Sequence, residues 1–79
     1  DFGIEHYKAG RYWDALLQFN QANFADPTSG EIHFNLGLAY FQEDKKEKAI
    51  KNFRQARKLA KGNAEILNSP FLNELLKNN

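Results

Sequence analysis

The sequence of 79 residues contains no cysteine and no methionine, and only two histidines. The lack of cysteine excludes a disulfide framework and a thiolate metal site. No apolar run reaches the roughly 18 residues of a membrane span. The first residues, 1–8, lack the basic and then apolar order of a signal peptide. We therefore predict a soluble domain whose fold is held together by apolar packing.

The chain also has no initiator methionine, and its first residues look like the second part of a helix whose beginning is missing. These features indicate a fragment of a longer protein, which leaves the compartment open, with the cytoplasm preferred. A chain of this length holds a single core. Because folding hides only about 60% of the surface of so short a chain, it needs many large apolar groups. Aromatic residues, 14% of the total, supply that bulk.

Charge is unevenly distributed, although the net charge is only +1. Residues 1–44 contain seven acidic and two basic residues, whereas residues 45–61 contain eight basic residues and one acidic residue. A basic stripe within the second segment recurs at helical spacing: Lys51, Arg54, Lys58 and Lys61. Such a stripe can follow a nucleic-acid backbone or an anionic membrane. We expect no exposed aromatic residue within it for base stacking, so both partners are disfavoured.

A shift of 34 residues superposes one part of the sequence on another. Most of the identical pairs are small or aromatic, the residue types that determine how closely two helices approach. The period therefore predicts two equivalent structural units. The identical pairs are Gly3 and Gly37, Ala15 and Ala49, Phe19 and Phe53, Gln21 and Gln55, and Ala22 and Ala56.

Apolar residues within each unit recur three and four positions apart, which predicts helices over about 11–24, 31–42 and 46–60. Ser29 can cap the second of these. A short helix over 70–77 should follow, with Ser69 as its cap and Pro70 in its first turn. We predict an all-α helical repeat of two helix-turn-helix units, 1–29 and 30–63, and a terminal segment, 64–79. That segment either covers the last repeat of the same molecule or exchanges into a neighbouring copy.

Six residues of the second unit recur at the spacing of a known repeat: Leu36, Gly37, Tyr40, Ala49, Phe53 and Ala56. With these residues the sequence resembles the tetratricopeptide repeat family, whose period is 34 residues. The first unit matches from Gly3 to the closing Pro27, while Lys61 replaces that proline in the second. The resemblance covers residues 1–63 and implies a protein-interaction scaffold or adaptor that is not an enzyme. Structural self-assembly is a further alternative, since the acidic and basic segments of two copies are complementary.

In this family the leading helices line a groove that receives a protein segment, and the resemblance implies the same here. Some relatives bind acidic chaperone tails through basic and asparagine residues. Asn35 fits that pattern, but Glu65 and Ser69 stand where basic residues are required, so this ligand is disfavoured. A missing repeat or the tail helix could also fill the groove. The implied groove residues are Ile4, Tyr7, Lys8, Phe34, Asn35, Leu38, Phe41 and Gln42.

The sequence contains no group of residues at the spacing of a known catalytic motif. His6 and His33 have no acidic residue at the spacing of a zinc-protease helix, and we expect both to pack between helices. None of the three serine and threonine residues lies beside a histidine or in a nucleophile elbow. Gly3 and Gly10 are not followed by the lysine and hydroxyl residue of a phosphate loop. We predict no catalytic, metal or cofactor site.

Overall fold

The computed structural model describes residues 2–77, apart from the side chains of residues 2, 5 and 6. Within this range the helical spacing of apolar residues gives six helices. Successive helices α1 to α4 pack against one another, and α6 packs against α4. The predicted all-α class is confirmed. The helices are α1 (Phe2–Lys8), α2 (Tyr12–Ala25), α3 (Gly30–Gln42), α4 (Lys46–Lys58), α5 (Ala64–Leu67) and α6 (Pro70–Leu76).

Side-chain caps define where three of these helices begin. Ser29 Oγ accepts a hydrogen bond of 3.1 Å from the Ile32 amide, and Ser69 Oγ accepts one of 3.3 Å from the Leu72 amide. Both caps agree with the sequence prediction, because each hydroxyl satisfies an amide that the first turn leaves unpaired. Asn63 caps α5 in the same way. Helix α5 ends after one turn, since the residue before a proline is driven out of helical geometry.

The end of α4 differs from the prediction, which extended this helix to residue 60. The Leu59 amide still bonds to the Gln55 carbonyl at 2.9 Å, but the Ala60 amide reaches only the Arg57 carbonyl, at 3.5 Å. Hydrogen bonding thus tightens from a four-residue to a three-residue step, and regular α-helix stops at Lys58. The chain then turns through two positive φ angles, at Lys61 and Gly62.

The turn between α2 and α3 is held by an aspartate. The Thr28 hydroxyl and amide both donate to Asp26 Oδ1, at 2.7 and 3.2 Å. These two hydrogen bonds, with a smaller effect of the Lys61 charge, lower the pKa of the Asp26 carboxyl. The turn that leads into α3 is therefore ordered by local contacts.

Two apolar clusters form the core. The first joins α2 to α3 through Ala15, Leu16, Phe19, Leu36 and Ala39. The second joins α3, α4, α5 and α6 and includes Phe34, Ala49, Phe53, Ala56, Ala60, Ile66, Leu72, Leu75 and Leu76. The two clusters give α3 apolar neighbours on several sides.

Gly37 allows α4 to approach α3 closely. A Cβ atom at this position would lie 2.5 Å from Phe53 Cε1 and would also meet Cδ1 of the same ring. Since Phe53 is completely buried, its ring has no room to move aside. The close approach of these helices therefore depends on a glycine opposite a phenylalanine.

His33 connects three segments of the chain. Its ring is 9% exposed, with Nδ1 3.1 Å from Asn52 Oδ1 on α4 and Nε2 3.0 Å from the Pro27 carbonyl oxygen. This interhelical position agrees with the expected packing role, whereas the expectation for His6 concerns a side chain outside the described set. None of the helices within residues 2–77 has the length and apolar character that crossing a bilayer requires.

Candidate functional site

Helix α3 presents two opposite sides to its surroundings. Glu31, Phe34, Asn35 and Leu38 lie three or four residues apart and line one hollow. His33, Leu36 and Tyr40 line another, which is bounded by α2 and α4. A helix with 3.6 residues per turn places these two sets on different sides.

The first hollow, which we call the α1–α3 groove, has a volume of about 430 Å³. Its lining comes mainly from α1 and α3, with further residues from α5 and the turn before it. Helix α2 contributes a single buried aromatic ring to its floor. The lining residues are Ile4, Tyr7, Lys8, Phe19, Glu31, Phe34, Asn35, Leu38, Asn63, Glu65 and Ile66.

Six of the eight residues that the sequence assigned to a groove line this one. Ile4, Tyr7, Asn35 and Leu38 are half-buried, and Lys8 is exposed. Phe34 differs because it is only 6% exposed. Its ring tilts against that of Phe53, with centroids 5.9 Å apart. Phe34 therefore forms a wall of the groove and belongs to the core.

Phe41 and Gln42 lie outside the groove, in contrast to the prediction. The Phe41 ring packs against Phe71 of α6, with centroids 5.2 Å apart. The Gln42 side chain is hydrogen bonded to Tyr7. The sequence could not show the position of Phe41, because it depends on where α6 packs after the break at Pro70.

Polar groups in the groove have mixed character. Lys8 belongs to α1, whereas Glu31 and Glu65 add two carboxylates from α3 and α5. The Asn35 side chain has no hydrogen-bond partner within the part of the chain that is described. Ser69 is 5% exposed and caps α6, so its hydroxyl is unavailable to a ligand. The groove therefore contains two carboxylates beside one ammonium group, and the expectation that chaperone tails are disfavoured stays a prediction.

The sequence reasoning did not assign Glu31, Asn63 and Ile66 to the groove. Glu31 was detectable, since it lies one turn before Asn35 on the same side of α3. Asn63 and Ile66 reach the groove through the position of α5, which follows from the turn at Lys61 and Gly62. No local pattern specifies that position.

Tyr7 is the titratable group of the groove with a shifted pKa. Burial raises the pKa of Tyr7, the hydrogen bond with Gln42 partly opposes that effect, and the charge of a nearby ionised Tyr12 adds to it. The two rings meet edge to face, with centroids 5.2 Å apart. The folded chain therefore holds the Tyr7 proton more tightly than an exposed tyrosine does.

We expect Tyr7 to ionise above its ordinary pKa of 10.0. Since the folded-state pKa is raised, its contribution to stability is complete below pH 10.0 and is lost as the pH rises through the folded-state value. Phenolate absorbance should show a late step that Tyr7→Phe removes. Gln42→Ala should raise that step further, because it removes the interaction that lowers the pKa. A step that is unchanged in Tyr7→Phe would contradict this assignment.

The predicted basic stripe is only partly continuous. Lys51, Arg54 and Lys58 are exposed along α4. Lys61 lies in the following turn with a φ of 51°, so it does not extend the helical row. The stripe is shorter than predicted because α4 ends at Lys58. Among the described residues, no group of three or more histidine, cysteine and acidic side chains could hold a metal ion.

Comparison with known proteins gives one family. The profile described as tetratricopeptide repeat matches residues 30–63, the segment that contains α3 and α4. No curated protein matches the chain.

Proposed function

The chain is a member of the tetratricopeptide repeat family through residues 30–63, and we propose that its α1–α3 groove binds a segment of a partner protein. Repeats of this family generally mediate protein–protein interaction, and the family is typically not enzymatic. The observation that carries the proposal is a hollow lined by half-exposed apolar side chains around the amide of Asn35. We therefore assign the chain a scaffold or adaptor role without catalysis.

The size and composition of the groove support this role. Its volume of about 430 Å³ is within the range of roughly 300–1,000 Å³ that is usual for ligand sites. Ile4, Tyr7 and Leu38 offer partly exposed apolar surface, so a ligand can remove more of it from water. The Asn35 amide can both donate to and accept from a peptide backbone. These groups fit an extended or helical peptide with apolar side chains.

Charge favours one kind of peptide over another. Glu31 and Glu65 belong to the groove wall formed by α3 and α5, whereas Lys8 belongs to α1. A basic side chain of the ligand would meet the two carboxylates, and an acidic one would be repelled. We propose that the bound segment combines apolar residues with lysine or arginine.

The position of the tail supports a groove that remains accessible. Helix α6 packs against α4 through Leu72, Leu75 and Leu76, and α5 forms only the end of the groove through Ile66 and Glu65. We propose on this basis that units 1–29 and 30–63 form the groove, while segment 64–79 caps the second unit.

Selection from a displayed library of random peptides of about twelve residues tests the proposal. The enriched peptides are expected to contain apolar and basic residues. Leu38→Ala and Asn35→Ala should each weaken their binding about tenfold or more, measured by fluorescence anisotropy with labelled peptides. Phe34→Ala is a poor probe, because it also removes a core side chain.

Leu17→Ala is the matched control. Leu17 is an exposed leucine on α2, away from the groove, and its truncation should leave the affinity unchanged. Circular dichroism should show that all variants remain helical. Enriched peptides that bind Leu38→Ala and Asn35→Ala as tightly as the natural sequence would refute the groove as their site.

A further inference from the structure

A second depression lies on the opposite side of α3, between α2 and α4. It consists of two adjoining hollows of about 170 and 300 Å³. Both hollows share Asn20, Tyr40 and Lys48, so they form one feature, which we call the α2–α4 cleft. Its lining residues are Trp13, Leu16, Leu17, Asn20, Asn23, His33, Leu36, Tyr40, Lys45, Lys48, Lys51, Asn52 and Gln55.

The wall formed by α2 is apolar at one end. Trp13 is 61% exposed and Leu17 is 46% exposed, and they are four residues apart on the same side of the helix. Binding of a ligand that removes these two large apolar side chains from water is favourable. Farther along the same wall the side chains become amides, at Asn20 and Asn23.

The facing wall, formed by α4 and its cap, is basic. Lys45, Lys48 and Lys51 line the cleft, and Lys48 Nζ lies 5.6 Å from the centre of the Tyr40 ring. Within the described part of the chain no acidic residue lines the two hollows of the cleft, but Asp44 and Glu47 line a neighbouring hollow to which Lys45 and Lys48 also belong. The three lysines of this wall outnumber the two nearby carboxylates, and Lys51 lines the cleft without belonging to the neighbouring hollow.

The 34-residue period explains why these two walls lie side by side. It aligns Leu17 with Lys51, and Phe24 with Lys58. Equivalent residues of successive units point in equivalent directions, so the outward side of α2 is apolar where that of α4 is basic. Phe24, which is 89% exposed, continues the apolar side beyond the cleft.

We propose that the α2–α4 cleft is a second protein-binding surface, and that it receives an acidic amphipathic peptide segment. Apolar side chains of the peptide pack on Trp13 and Leu17, and its carboxylates meet Lys48 and Lys51. The distance along α2 from Trp13 to Asn23 is about 15 Å, which suits roughly three turns of helix. This surface is independent of the α1–α3 groove and favours a ligand of opposite charge.

Two features favour a peptide over a nucleic acid. Among the described residues, Trp13 is the one strongly exposed aromatic residue that lines the cleft, whereas single-stranded nucleic acids stack successive bases on several aromatic rings. Leu17 offers exposed aliphatic surface, which suits leucine or phenylalanine side chains. Asn23 Oδ1, a buried acceptor at the amide end, has no hydrogen-bond partner among the described residues.

Trp13 makes the test direct, because it is the sole tryptophan of the sequence. The probes are two synthetic peptides of about twelve residues with leucines four apart, one carrying glutamates and the other lysines at the flanking positions. Trp13 lines the cleft but not the α1–α3 groove, so affinities taken from its emission refer to the cleft alone. By this measure the glutamate peptide should shift the emission to shorter wavelength and bind at least tenfold more tightly than the lysine peptide. Leu17→Ala should weaken this binding about tenfold, and Leu38→Ala should not.

Exchange of charge separates recognition from a folding defect. Lys48→Glu combined with Lys51→Glu should lose the glutamate peptide and gain the lysine peptide, which a misfolded chain could not do. Equal affinities of the two peptides in the Trp13 emission titration, or no emission shift with either, would overturn the proposal. So would preferential binding of single-stranded oligonucleotides that falls steeply between about 50 and 200 mM salt. Because Leu38→Ala alters the α1–α3 groove and not the cleft, it separates the test of this proposal from the test of the groove.

Discussion

Phe53→Ala is expected to abolish cooperative thermal unfolding. The Phe53 ring is completely buried and belongs to the cluster that joins α3, α4, α5 and α6. Truncation of such a phenylalanine costs about 3–5 kcal/mol. A core in a chain this short supplies only about 3–5 kcal/mol of net stability. Far-UV circular dichroism on heating should therefore show a gradual loss of helix in place of a transition.

Gly37→Ala should change stability in opposite directions in the natural sequence and in Phe53→Ala. In the natural sequence, Gly37→Ala should lower the free energy of unfolding by about 1–3 kcal/mol, because the new Cβ overlaps the Phe53 ring. In Phe53→Ala that overlap is gone, and the better helix propensity of alanine should raise stability by about 1 kcal/mol. The second value can be measured by restoring the fold with a protecting osmolyte.

Gly10→Ala provides the matched control for this pair. A Cβ at Gly10 meets no atom within 4 Å, but its φ of +78° strains any other residue. Its cost of about 1–2 kcal/mol should be the same with and without Phe53. A Gly37→Ala effect of the same sign and size in both backgrounds would show that the glycine and the ring do not interact.

Leu72→Ala is expected to produce the second large loss, about 2–5 kcal/mol. Leu72 is completely buried in the cluster that contains Phe53, although it belongs to a helix of only seven residues. So short a helix is unstable alone, and we expect it to persist because of this packing. Thermal unfolding followed by circular dichroism measures the loss.

Phe71→Ala is the control on the same helix. Phe71 is 44% exposed and touches Phe41, so its truncation should cost only about 1 kcal/mol.

If α6 caps its own molecule, the midpoint of unfolding should not change over about a hundredfold range of protein concentration. A midpoint that rises with concentration would instead indicate exchange of the tail or self-assembly.

Stability and groove structure are coupled in this chain. Phe34 and Ile66 line the α1–α3 groove and also belong to the Phe53 cluster. A variant that loosens this cluster should therefore weaken peptide binding without touching the ligand. Peptide affinities for the α1–α3 groove should therefore be compared between variants that have the same helical content.

The site was predictable to the extent that it depends on α1 and α3. Ile4, Asn35 and Leu38 were implied by the family resemblance, which assigns the groove to residues of the leading helices. Phe41 shows the limit, since it has the right spacing but is packed against Phe71. Phe34 shows another, because spacing cannot separate a groove wall from a core residue.

The α2–α4 cleft was not predicted at all. The basic residues of α4 were recognised as a stripe, yet the exposure of Trp13 and Leu17 beside them depends on how two helices from different units lie together. An apolar residue at helical spacing is usually assigned to the core. Only the packed structure shows which apolar residues are left in water.

The amino-acid sequence alone determined the local features: most of the helices, the caps at Ser29 and Ser69, and the 34-residue period. These features follow from interactions between residues close in the chain, and each leaves a spacing that can be read directly. Tertiary structure decided where α4 ends, where α6 packs, and which side chains of α2 and α3 stay exposed. Those outcomes depend on contacts between residues far apart in the sequence, which no local spacing records.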